Sequence, residues 1–233
     1  MGRERGLSAS ALKWIAAAAM LADHVGILLA WRVPYQLWMG LRIFGRIAFP
    51  LFCFLLVEGF FHTGDVKKYL LRLGIFAVVS EVPFDLFLRN TPVFWGYQNV
   101  MVTLFIGLLL LYLYNGFLAK VQPIYALMTL VSLVCLGLAA RCDYGAEGVL
   151  IIFLFYFFRF RPLPMFLSVA LMFLLMGSIE PWAVLSFIPI LFYNGKKGGR
   201  APKNRASGLV KRYGFYCFYP LHLLILSGIR LFL

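Results

Sequence analysis

An all-α membrane bundle of about nine transmembrane helices, with its N-terminus in the cytoplasm, is the fold this sequence predicts. Three observations carry that expectation. Of 233 residues 63% are hydrophobic and 18% aromatic, against about 45–50% apolar in a soluble domain. The apolar residues fall in runs close to the roughly 20 residues a bilayer-crossing helix needs. The lysines and arginines collect in alternate connections between those runs.

The first run, Leu12 to Leu29 within a span of about 11–30, is long enough to cross a bilayer and yet carries Lys13, Asp23 and His24. No cleavage site of small residues follows it, so it reads as a retained helix and not a signal peptide. The second, about 44–62, opens with Arg42 and Arg46 near its outer end and closes with Glu58 and His62. The third, about 69–88, holds Glu81 and Asp85 on one face around Pro83, which removes a helix hydrogen bond. The fourth, about 99–118, starts at Asn99 with Thr103 on the same face. The fifth and sixth, about 123–140 and 147–160, are almost wholly apolar, and the sixth closes with Arg159, followed by Arg161. The seventh and eighth, about 163–178 and 181–194, are short, separated by Glu180-Pro181, and are read as two spans. The last, about 213–232, contains His222 two residues after Pro220. The whole is read as one integral-membrane domain, 1–233.

Charge sets the orientation. With the N-terminus inside, the inner side receives Arg3, Arg5, Lys67, Lys68, Arg72, Lys120, Arg159, Arg161 and the cluster from Lys196 to Arg212. The outer side holds only Arg32, Arg42, Arg89 and Arg141, with Arg230 at the end of the last helix. Cytoplasmic loops carry such an excess of lysine and arginine. The net charge of +13 is therefore read as topology and contact with the lipid bilayer, with no nucleic-acid partner. Cys53, Cys135, Cys142 and Cys217 form neither a disulfide framework nor a zinc pattern, and the three histidines show no metal-ligand spacing.

Ionisable side chains within a membrane helix are costly and mark function by default. Lys13 and His24 are eleven residues apart, about three turns, and so share a face with a rise of roughly 16 Å between them. Asp23 points roughly 100° away and is expected to engage another helix. Ala16, Ala17 and Met20 border the Lys13–His24 face, and the run from Ala16 to Ala19 lets another helix or a thin ligand approach the backbone. Arg42 or Arg46 is expected to snorkel to the outer interface or to pair with Glu81 or Asp85. Asn99 and Thr103 read first as hydrogen-bonding glue between helices, and His62 with Asp65 as a solvated connection.

The stretches KWIAAAAMLADHVG, RIFGRIAFPLFCFLLVEGFFHTGDVKKYLLRL, SEVPFD, QNVMVTL, YGAEGVL and FYCFYPLHLLIL, in that order, resemble the TraX family. That family is named for a conjugation protein that N-acetylates pilin subunits. It is similar in turn to the acyltransferase-three integral-membrane enzymes and to the lysosomal heparan glucosaminide acetyltransferase. Lys13 and His24 match the acyltransferase-three spacing of a basic residue, ten residues and an essential histidine. Arg42, Arg46 and Pro50 look like that type's arginine-bearing second helix, with three residues between the arginines where the type has two.

The resemblance implies an acetyltransferase that takes acetyl from cytoplasmic acetyl-CoA and gives it to an amine or hydroxyl, on a pilin-like N-terminus or a glycan. Lys13, Arg42, Lys67, Lys68, Arg72, Arg159 and Arg161 are the candidates for holding CoA, its arm running along the small residues of the first helix. His24 is the candidate general base or acyl-accepting nucleophile, with Asp23 beside it. Arg46, Asn99 and His222 are candidates for stabilising an oxyanion. Two other readings stay open: a transporter, although no inverted repeat is visible, and a non-catalytic assembly protein.

Overall fold

The computed structural model describes residues 6–199 and 204–232. The described residues form ten α-helices and one 3-10 helix joined by connections, with two isolated backbone bridges and no strand among them. Arg3, Arg5, Arg200 and Lys203 of the inner basic set lie outside the described residues, as do the side chains of Arg205, Lys211 and Arg212.

Helix α1 (Ala9–Leu28) begins at Ser8, whose hydroxyl accepts from the Ala11 amide at 3.3 Å. Such a cap satisfies one of the amides that a helix start leaves without a partner. Helices α2 (Tyr35–Arg46) and α3 (Ala48–His62) form one apolar stretch with a one-residue break at Ile47. Pro50 explains the break: it has no amide to give the Arg46 carbonyl, and its ring crowds that same carbonyl. The span expected at 44–62 thus starts at Tyr35, directly after Pro34, which ends the preceding turn.

Helix α4 (Val66–Arg89) is capped by Asp65, whose Oδ1 accepts from the Lys68 amide at 3.0 Å. It closes on Asn90 in the left-handed conformation, one that asparagine tolerates. Helix α5 (Val100–Ala119) is capped by Asn99, and α6 (Pro123–Ala139) starts on a proline in its first turn. Helices α7 (Gly145–Phe157) and α8 (Pro162–Met176) follow. The expected eighth span is a 3-10 helix (Glu180–Ser186) running into the five-residue α9 (Phe187–Leu191). At 1.5–2.0 Å per residue that pair covers roughly 20 Å, less than the roughly 30 Å of a bilayer core. Pro181 and Pro189 each withhold an amide there, which favours short tight turns over one long helix. Helix α10 (Arg205–Arg230) continues through Pro220.

Ala9–Leu28, Tyr35–His62 and Val100–Ala119 are long and apolar enough to cross a membrane, and four shorter apolar helices accompany them. The chain is a helical membrane protein. It divides into two compact units, Met1–Leu55 with Phe173–Leu233, and Leu56–Met172.

In the first unit α1 packs on α2 and on α10, and α2 packs on the 3-10 helix. The backbone at the start of α1 is tied to the segment after α9. Leu7 donates to the Phe192 carbonyl at 2.8 Å, Ala9 to that of Lys196 at 2.9 Å and Ser10 to that of Lys197 at 3.0 Å. The α1–α2 contact is close enough that a β-carbon on Gly45 would overlap the side chain and backbone of Asp23. Gly45→Ala is therefore expected to cost about 1–3 kcal/mol through overpacking. Gly40, with open space around it, serves as the control, where alanine is neutral or better. Thermal unfolding of both variants in detergent checks this; equal midpoints would refute it.

In the second unit α5 packs on α4, α6 and α7. Gly107 lets Ile152 of α7 approach α5, and a stacked ring pair, Phe61 and Tyr156, lies 5.5 Å apart.

Candidate functional site

The polar residues of the first unit converge on one stretch of α1. Asp23 is buried, and its carboxylate meets two arginines of α2: Arg42 at 2.8 Å through Oδ1 and Arg46 at 2.5 Å through Oδ2. Spacing of four places both guanidinium groups on one face of α2, so a single carboxylate spans them. Arg46 extends the network to Glu180 at the start of the 3-10 helix, at 2.7 Å. Two arginines and two carboxylates leave the cluster formally neutral, which suits charges taken out of water.

Asp23 thus engages another helix as its direction on α1 predicted. The expected partners of Arg42 and Arg46, Glu81 and Asp85, are corrected: the arginines bind Asp23 and Glu180. Glu81 instead binds Asn99, and Asp85 accepts from the Phe94 amide at 2.6 Å. Glu180 was legible only as half of a helix-breaking Glu-Pro pair. The signal for its role was a carboxylate inside a run of apolar residues.

His24 stands beside this network. Its Nδ1 lies 2.8 Å from the Met20 carbonyl and 3.1 Å from Nε2 of His222 on α10. A carbonyl only accepts, so the proton sits on Nδ1 of His24, and in the neutral ring the basic lone pair is on Nε2. His222 is buried and repeats the arrangement, its Nδ1 lying 2.9 Å from the Phe218 carbonyl. The rings of Phe218 and Tyr219 lie 5.0 and 5.7 Å from the His222 ring and fix its orientation.

Lys13, three turns before His24, is exposed and lies 5.8 Å from the ring of Phe215, also on α10. Both ends of the Lys13–His24 face therefore meet the same helix. Of the two approaches that the small residues between them allow, it is the chain's own packing that is seen: Ala16 and Ala19 are fully buried and Ala17 nearly so.

The other expected site residues belong to the second unit. Asn99 is buried; its amide nitrogen donates to the Glu81 carboxylate at 2.6 Å and to the Ala77 carbonyl at 2.9 Å, and its Oδ1 caps α5. Thr103 donates to the Asp143 carbonyl. Asn99 is the interhelical glue that its spacing suggested, and Thr103 ties α5 to the connection before α7. Arg159 is held by Glu58 at 2.8 Å, with its guanidinium 4.3 Å from the Phe61 ring. Lys68 pairs with Asp65 at 3.1 Å, and the backbone and side chain of Lys68 hold that carboxyl below the usual range. Lys67 and Arg161 are exposed, and Arg72 has a buried Nε without a hydrogen-bond partner among the described residues. The four cysteines are free thiols; burial pushes Cys142, in the connection before α7, above its ordinary range.

Comparison with known proteins adds to this geometry. A family model described as TraX protein matches residues 8–230. A curated relative from Dichelobacter nodosus, described as "Probable fimbrial assembly protein FimC, serogroup H1", is 34% identical over 264 aligned positions that take in all of both chains. No solved structure matches the chain.

Proposed function

The chain belongs to the TraX family, and from that premise we propose a multi-pass enzyme of the cytoplasmic membrane. It moves an acetyl group from cytoplasmic acetyl-CoA to an amine or hydroxyl acceptor at or across the bilayer. The nine apolar segments cross or enter the membrane with the N-terminus inside. The relative's description as a fimbrial assembly protein favours a pilin-like N-terminus over a glycan as acceptor.

One observation carries the reading. His24, inside an apolar helix, holds its proton on Nδ1 against the Met20 carbonyl at 2.8 Å, which turns Nε2 into the basic nitrogen. That atom takes the proton of the acceptor as its nitrogen or oxygen attacks the thioester carbonyl. It then returns the proton to the departing thiolate, so base and acid are one group. Asp23 is not a second base here, because both of its oxygens hold arginines. It anchors α2 one residue away from His24.

The phosphates of acetyl-CoA call for a set of cationic donors. Lys67, Lys68, Arg161 and Arg72, whose buried Nε has no hydrogen-bond partner among the described residues, have that chemistry. Arg42 and Arg159 already hold carboxylates, which makes them structural members. Lys13 supplies a further cation at the inner end of the His24 face.

The test is direct. Purified protein with acetyl-CoA and a peptide amine is expected to release free thiol and to form acetyl-peptide in equal amounts. Thiol release with no acetylated product would reduce the reading to a hydrolase. Neither product, from protein that binds CoA, would favour the non-catalytic assembly role.

A further inference from the structure

The family reading gives a base and leaves open what holds it in the right form. His24 can place its single neutral proton on either nitrogen, and only the Nδ1-protonated form leaves Nε2 basic. The Met20 carbonyl favours that form, but it belongs to His24's own helix and stays in place however the ring turns about its outer bonds. A contact from another helix holds the ring more firmly. His222 makes that contact: its Nε2 is 3.1 Å from His24 Nδ1, with ring centroids 4.9 Å apart and planes inclined at 58°.

The hydrogen-bond directions follow from the two carbonyls. His222 donates its own Nδ1–H to the Phe218 carbonyl at 2.9 Å, so its Nε2 has a lone pair and no proton. That lone pair accepts from His24 Nδ1–H, which is shared between His222 and Met20. The neutral dyad accordingly has one consistent arrangement of protons, running from His24 to His222 to the α10 backbone. In this arrangement His222 has no Nε2–H to give an oxyanion, the role for which the acyltransferase resemblance made it a candidate.

We infer that His222 is a positioning residue: it locks His24 in the Nδ1-protonated tautomer and accepts from the imidazolium formed when Nε2 takes a proton. The inference rests on the acyltransferase reading for its consequence in catalysis, and on geometry alone for the dyad. It extends to the fold, because Phe218 and Tyr219 flank the His222 ring and His222 is only 4% exposed. The ring is held from α10 before His24 is ever charged.

The chain has three histidines, so ¹⁵N-histidine NMR of the full-length protein in bilayers resolves the dyad once His62→Gln removes the third. His24 is expected to show a protonated Nδ1, an unprotonated Nε2, and a coupling across the hydrogen bond to His222 Nε2. In His222→Leu the coupling disappears and the Nε2-protonated form of His24 becomes populated. His222→Gln, whose amide oxygen lies near the Nε2 position and accepts, is expected to retain the native tautomer. In the acetyl-transfer assay kcat should fall roughly tenfold or more in His222→Leu, with KM little changed, and recover substantially in His222→Gln. A wild-type His24 protonated on Nε2, or a native tautomer and kcat in His222→Leu, would overturn the inference. If His222→Leu does not fold, the wild-type spectrum and His222→Gln still decide. A wild-type protein that shows the dyad and transfers no acetyl group sinks the enzymatic reading while leaving the hydrogen-bond assignment intact.

Discussion

His24→Ala is expected to reduce acetyl transfer by about 10²- to 10⁴-fold, the range a positioned acid–base group contributes, with CoA binding retained. The ring meets His222 across the helix interface, and the ion pairs of Asp23 run to Arg42 and Arg46, so the substitution leaves those pairs in place. A loss confined to kcat is therefore predicted, with the thermal midpoint close to wild type. His24→Gln separates chemistry from packing, because an amide occupies similar space and offers no basic nitrogen. It should be as inactive as the alanine variant. Native-rate transfer by either variant, in protein shown to bind CoA, would remove His24 from the mechanism.

Asp23→Ala is expected to be the most damaging substitution for stability. It removes the carboxylate that Arg42 and Arg46 share, their guanidinium groups lying 2.8 and 2.5 Å from it. Breaking a buried pair by deleting one partner costs about 3–5 kcal/mol, because the remaining charge has no compensation. Glu180 continues to hold Arg46, so Arg42 is the residue left worst off. The double variant Asp23→Ala with Arg42→Met should therefore be more stable than Asp23→Ala alone, a coupling that unfolding in detergent would resolve. Asp23→Ala with an unchanged midpoint would mean that the network does not hold α1 to α2.

Residue by residue, the sequence disclosed as much as helical periodicity can disclose. It placed Lys13 and His24 on one face and turned Asp23 away from them, and both statements hold in the folded chain. It identified Asn99 and Thr103 as hydrogen-bonding glue, and the helix ends at Asp65 and Pro123 follow from local chemistry that the chain carries. It did not disclose which arginine meets which carboxylate. For Arg42 and Arg46 it pointed to Glu81 or Asp85, and the actual choice of Asp23 and Glu180 depends on how α2 lies against α1 and the 3-10 helix. Gly45 and Gly26 permit that approach, since a β-carbon at Gly26 would sit 3.1 Å from the Arg42 side chain.

The same limit applies to His222, which read as an isolated histidine in the last helix and stands 3.1 Å from His24 across 198 positions of chain. Fold class, the apolar segments and the faces within each helix were settled by the sequence itself, because they depend on composition and on a fixed 100° step per residue. Partners between helices were settled only in three dimensions. Lipid-facing and bundle-facing surfaces are equally apolar in a membrane, so hydrophobic pattern does not tell a helix which of its sides meets a neighbour. Close packing at small residues and the requirement that every buried charge find its opposite make that choice.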